Sequence, residues 1–143
     1  MKATVRRVLV GVAAAVIVAG GIAASMFALE SSEGKRPELK LRANPKIAFV
    51  PAKVQFTAVL EGGADDYQEF YCPTIEWDWD DDTTSESTPD CEPYEAGKSR
   101  IVRRYSAQHT FRFDGLYDVK FRLKQRDRTI ATMTIPVEIR GGH

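Results

Sequence analysis

Apolar and polar positions alternate with a period of two in four stretches of the chain from Pro45 onward. Val54, Phe56, Ala58 and Leu60 alternate with Gln55, Thr57 and Val59; Ile75, Trp77 and Trp79 alternate with Glu76 and Asp78. Tyr117, Val119, Phe121 and Leu123 alternate with Asp118, Lys120 and Arg122, and Ala131, Met133, Ile135, Val137 and Ile139 with Thr132, Thr134, Pro136 and Glu138. Each stretch predicts a half-buried strand, apolar side inward. No comparable stretch has helical spacing, and Gly, Pro, Asp and Asn separate the strands, so a two-layer antiparallel β-sandwich is the economical packing. Pro136 lacks a donor and predicts an edge or a bulge at that point of the last strand. Arg126-Asp127-Arg128 predicts the hairpin turn before it.

The first thirty residues follow another rule. After Lys2, Arg6 and Arg7, the 22 residues from Val8 to Leu29 carry no charge. As a hydrophobic helix this stretch spans about 33 Å at roughly 1.5 Å per residue, enough to cross a hydrocarbon core of about 30 Å. It reads either as an uncleaved membrane anchor or as a secretory signal with a small-x-small site at Gly21-x-Ala23 or Ala23-x-Ser25. The length of the run and the lack of a clean A-x-A site favour the anchor. Under both readings the basic start stays inside and everything after residue 30 is exported, membrane-anchored or secreted. Residues 31–44 (SSEGKRPELKLRAN) are polar and read as a tether, the alternative being a strand through Leu39 and Leu41. Residues 45–140 then form the domain.

Charge refines this picture. The chain is formally neutral, but the residues after Leu29 hold 17 of the 20 basic side chains and all 20 acidic ones. Glu61 to Glu95 contains thirteen acids and no base, whereas Ala96 to His143 contains eleven bases and four acids. This excludes a nucleic-acid-binding profile and predicts that the two halves neutralise each other across the fold. Cys72 and Cys91 spell neither a zinc site nor a CxxC motif, and in an exported domain they pair as a disulfide.

The stretch WDWDDDTTS, residues 77–85, resembles the pattern W-D-F-G-D-G-T-x-S of the PKD (polycystic kidney disease) domain, an immunoglobulin-like β-sandwich. His109-Thr110-Phe111 is similar to that family's later H-x-Y, and Gly115-Leu116-Tyr117-Asp118-Val119 to its G-x-Y-x-V. The resemblance covers residues 45–140 and implies an all-β, PKD-type sandwich in which Trp77, His109, Gly115, Tyr117 and Val119 are structural. Tyr117 would be the corner tyrosine that bonds upstream backbone. Asp80 and Asp82 occupy the family's glycine positions, which predicts a turn of different shape, because Asp tolerates φ > 0 at some cost. Glu86 to Arg104 is longer than in many members.

Candidate chemistry is sparse. Asp78, Asp80, Asp81 and Asp82 alternate partly as in a calcium loop, and with Asp65, Asp66 or Asp90 they are the candidate calcium ligands, although the EF-hand pattern fails. No other cofactor is implied. Trp79, Tyr71 and Tyr94 are candidate platforms for sugar, with Asp90 beside them in the acidic loop. Glu76 and Asp78 could mimic a glycosidase pair, but a flat sheet face offers no cleft, and no Ser or Cys nucleophile has a partner motif. The expectation is a non-enzymatic extracytoplasmic module that binds a surface protein or another cell-envelope component. The alternative is a carbohydrate-binding or calcium-dependent adhesive module.

Overall fold

The computed structural model describes residues 34–142, so the N-terminal segment 1–30, anchor or signal, lies outside the described residues. Eight strands follow in order: β1 (Glu38–Asn44), β2 (Ile47–Phe49), β3 (Ala52–Glu61), β4 (Thr74–Asp78), β5 (Thr84–Ser87), β6 (Arg104–Phe111), β7 (Gly115–Gln125) and β8 (Arg128–Arg140). A single 3-10 turn, Gln68–Phe70, interrupts the loop between β3 and β4. The strands form a three-stranded sheet, β1-β3-β6, and a five-stranded sheet, β2-β8-β7-β4-β5. That division and order are those of an immunoglobulin-like sandwich.

All four period-two stretches form strands, and their inward sets make the core except at Met133, which is exposed although the alternation places it inward. Val54, Phe56, Ala58 and Leu60 face Trp77, Val119, Phe121, Leu123, Ile135, Val137 and Ile139, all buried. Each bulky side chain buried in this way contributes about 1.5–3 kcal/mol relative to exposure, which is why the alternation is so regular. Phe56 is the hub of an aromatic cluster, with ring centroids 6.0 Å from Trp77, 5.3 Å from Trp79 and 6.4 Å from Phe111.

Three expectations change. The polar stretch read as a tether is a strand from Glu38 on: β1 pairs antiparallel with β3, from Glu38 opposite Glu61 to Asn44 opposite Gln55. Leu39 is buried and Leu41 and Ala43 pack against the core, too small an apolar set to stand out beside four charged or amide residues. The sandwich is also not wholly antiparallel, because β2 runs parallel to β8. This works because β2 is three residues long, between Pro45 and Pro51, and lets the chain cross from one sheet to the other. Finally, the turn after Trp79 keeps φ > 0 at both Asp80 (62°) and Asp82 (66°), so aspartate here adopts the conformation glycine would supply.

Pro136 sits opposite Asp118 on β7, and β2 joins the other side of β8 only from Glu138 onward. The missing donor of Pro136 therefore falls on an unpaired flank, as an edge proline should. Gly115 has φ 154°, and the Tyr117 ring lies beside its α-carbon, 3.6 Å from where a Cβ would stand. Tyr117 donates its hydroxyl to the Phe113 carbonyl at 2.7 Å, the corner contact that the resemblance implied.

Candidate functional site

The WDWDDDTTS stretch is a strand end whose acids are folded back onto backbone. Trp77 and Trp79 are 5% and 2% exposed, parallel to each other with centroids 5.3 Å apart. Trp79 stacks on His109 at 4.4 Å on its other side and donates its indole N–H to Ser85 Oγ at 2.9 Å. A ring enclosed in this way offers no platform, which corrects the sugar-binding expectation for Trp79.

The aspartates take separate tasks. Asp78 Oδ1 accepts the backbone N–H of Asp80, a local Asx turn that steers the chain into φ > 0. Asp80 Oδ2 accepts the N–H of Asp118 at 2.8 Å and so ties the turn to β7. Asp81 accepts the Thr83 N–H and hydroxyl on one oxygen and meets His109 Nε2 at 2.7 Å on the other. An ionised carboxylate only accepts, so this contact places the ring proton on Nε2. Burial alone would push the Asp81 carboxyl up, but the hydrogen bonds from Thr83 and His109 outweigh it and hold it below the usual carboxylate range. Asp82 is exposed. Asp78, Asp80 and Asp81 thus serve different partners, and among the described residues no three His, Cys, Asp or Glu side chains converge as a ligand set.

The acidic segment and the basic half do meet, on the outer face of the five-stranded sheet and at one end. Glu76 lies between Glu86 on β5 and Arg122 on β7 in one rung. Arg122 Nη1 donates to Glu76 at 2.7 Å and lies 3.8 Å from Asp78, and Lys124 reaches both Glu76 and Glu86. The hydrogen bond from Arg122 lowers the Glu76 carboxyl against the effect of burial, and Glu86 raises the Lys124 ammonium. Arg122 therefore sits between the two carboxylates that could have resembled a glycosidase pair. At the end of the sandwich where β3 finishes, Arg103 binds Asp65 and the carbonyls of Leu60, Gly62 and Gly63. Its hydrogen bond to Asp65 holds that carboxyl low.

The same end carries the disulfide between Cys72 and Cys91, which joins the start of β4 to the loop after β5. Beside it lies a concavity of about 440 Å³ lined by Gln68, Tyr71, Tyr94, Gln125, Arg126 and Arg128, among others. Tyr71 and Tyr94 meet edge to face at 5.5 Å, and their hydroxyls are held by the carbonyls of Glu92 and Asp66. Asp90 is exposed in the adjoining loop. The structure brings Tyr71 and Tyr94 together and leaves Trp79 and the aspartate turn at the opposite end.

Sequence reasoning missed one surface. On the outer face of the three-stranded sheet, one rung holds Lys40, Val59 and Arg104, the next Arg42, Thr57 and Ser106, and the next Asn44, Gln55 and Gln108, with Lys53 opposite Thr110 beyond. Past the Glu38–Glu61 rung this face has four cations and no carboxylate. The signal was present in the polar positions of β3 and β6, but half of it lies in the stretch read as tether.

No protein-family model and no curated protein matches the chain. Among solved structures, similarity is found to the PKD domain of an M14-like peptidase from a Thermoplasmatales archaeon, at 16% identity and TM-score 0.49, covering 74% of this chain and 97% of that one. A CARDB domain from Pyrococcus furiosus, solved in complex with di-metal ions, matches at 9% identity and TM-score 0.42, covering 73% of this chain and 94% of that one.

Proposed function

We propose that the chain is a non-enzymatic, PKD-like extracytoplasmic module, membrane-anchored through residues 8–29 or secreted, that recognises a surface protein or another component of the cell envelope. The observation that carries this reading is the outer face of β1, β3 and β6, where Arg42, Lys53 and Arg104 stand among amides and hydroxyls and enter no ion pair among the described residues, while Lys40 at the margin is tied to Glu38. On the outer face of the five-stranded sheet opposite charges meet, as Glu76 does with Arg122, so a sheet face that gathers three unpaired cations is suited to an acidic partner. The Cys72–Cys91 bond supports an oxidising compartment, and the uncharged N-terminal run supports export.

The full chain in detergent, immobilised and exposed to envelope extract, tests this reading. Arg42→Glu combined with Lys53→Glu alters only exposed side chains and should leave the unfolding midpoint within about 0.5 kcal/mol, while abolishing retention of the acidic component. Equal retention by the variant and the parent removes this face from the account.

A second reading rests on the concavity beside Tyr71 and Tyr94, whose aromatic edges and surrounding Gln, Glu and Arg side chains are chemistry that binds carbohydrate. Calorimetric titration with a glycan panel, with and without calcium, decides it. No heat in either series eliminates this reading.

A further inference from the structure

The two sheets do not close on each other along one flank. There β5, the edge of the five-stranded sheet, faces β6, the edge of the three-stranded sheet. Each edge carries a row of backbone N–H and C=O groups without ladder partners. At one end the flank is shut by the Asp81–His109 contact, and at the other the disulfide draws the loop after β5 towards Cys72. Between these closures lies a cleft of about 340 Å³, with Ile75 and Trp77 as its apolar floor, Ser85 and Ser87 on one rim and Arg104 and Tyr105 on the other.

Edge strands in soluble proteins are blunted by proline, by inward-pointing charge or by a covering loop. Arg104–Phe111 contains no proline, and its charged residue Arg104 points outward. Arg104 is exposed and enters none of the ion pairs among the described residues, whereas Glu86 across the cleft is held by Lys124. The opening is thus a row of unpaired backbone groups, an apolar floor and one free cation.

We propose that this cleft binds an extended segment of a partner polypeptide, which adds as a strand to the free edge of β6, sets an apolar side chain over Ile75 and Trp77, and presents a carboxylate to Arg104. The backbone dictates the occupant: only another extended chain satisfies a strand edge along its length, with alternate side chains directed into the cleft and away from it. The free guanidinium sets the charge of that chain. This inference rests on the recognition reading above and shares Arg104 with that face, but it is read along the β6 edge whereas the face is tested at Arg42 and Lys53, so the two fail separately.

The test uses the full chain in detergent and a synthetic peptide of about eight residues alternating valine and glutamate, with a second peptide in which alternate residues are proline. Amide hydrogen exchange at Arg104–Ala107 should slow about tenfold with the first peptide and not with the second, which lacks the donors. In Arg104→Glu the preference should pass to a valine-lysine peptide, with an unchanged thermal midpoint as the control for folding. Protection mapped to β2 instead of β6, or equal effects of the two original peptides, overturns strand addition. Protection that rises with protein concentration in the absence of peptide assigns the cleft to a second copy and likewise overturns the proposal.

Discussion

Replacing Asp81 with alanine should destabilise the domain more than any other change in the acidic turn. The carboxylate is about a quarter exposed and serves three donors: the Thr83 N–H, the Thr83 hydroxyl and His109 Nε2. A hydrogen bond to a charged group contributes about 1.5–3 kcal/mol, and each neutral-donor bond in an exposed turn about 0.5–1 kcal/mol. Together they predict a loss of about 3 kcal/mol, discounted at the upper end because Thr83 is exposed. For a domain of this size that lowers the thermal midpoint by roughly 12–20 °C. Urea unfolding followed by the fluorescence of the enclosed Trp77 and Trp79 reads the change directly. Asp82→Asn is the control: asparagine tolerates the same backbone, Asp82 is exposed, and the midpoint should stay within about 0.5 kcal/mol. The pH dependence follows from the lowered pKa of Asp81. Its contribution is complete above the unfolded carboxylate pKa of about 3.9 and is lost as pH falls through the lower folded value. The parent should therefore lose stability relative to Asp81→Ala on the acid side. A loss below about 1 kcal/mol, or an acid limb identical in parent and variant, would refute the role given to this carboxylate.

Other outcomes follow from the same geometry. Asp82→Gly relieves positive-φ strain and should raise stability by up to about 1 kcal/mol, whereas Asp80→Gly also loses the bond to Asp118 and should come out lower, with paired urea curves deciding. Reducing Cys72–Cys91, nineteen positions apart, should cost about 3 kcal/mol in the chain-entropy account, seen as a shifted urea midpoint with and without reductant. Burial pushes the Tyr105 phenol up to about 12, and its hydroxyl is enclosed without a partner among the described residues. Tyr105→Phe should then stabilise the domain by about 1 kcal/mol, and a lower midpoint would show that the hydroxyl is satisfied.

Strand positions in the core were legible because burial on one face of a sheet imposes period two on residues such as Val54–Leu60 and Tyr117–Leu123. The three motifs that resembled the PKD domain begin on β4, β6 and β7, with Trp77 buried in the core and Tyr117 bonded to the Phe113 carbonyl. The strand Glu38–Asn44 was harder to read. Its inward set, Leu39, Leu41 and Ala43, gains its meaning only from β3 beside it. The turn at Asp80 and Asp82 was misjudged because the partners that hold it, Asp118 and His109, lie 38 and 28 residues along the chain from the aspartates they bind.

The sequence by itself determined the class of fold, the inward faces of the long strands and the pairing of the two cysteines, because each follows from local alternation or elementary composition. Which surfaces are left free was decided only by tertiary structure. Opposite charges far apart in sequence cancel where strands come into register, as Glu76 does with Arg122, and remain free where they do not, as with Arg42 and Arg104. The meeting of two strand edges around an open cleft is likewise a property of how the sheets are laid together. No period in the chain encodes it, since an edge is defined by the strand that is absent.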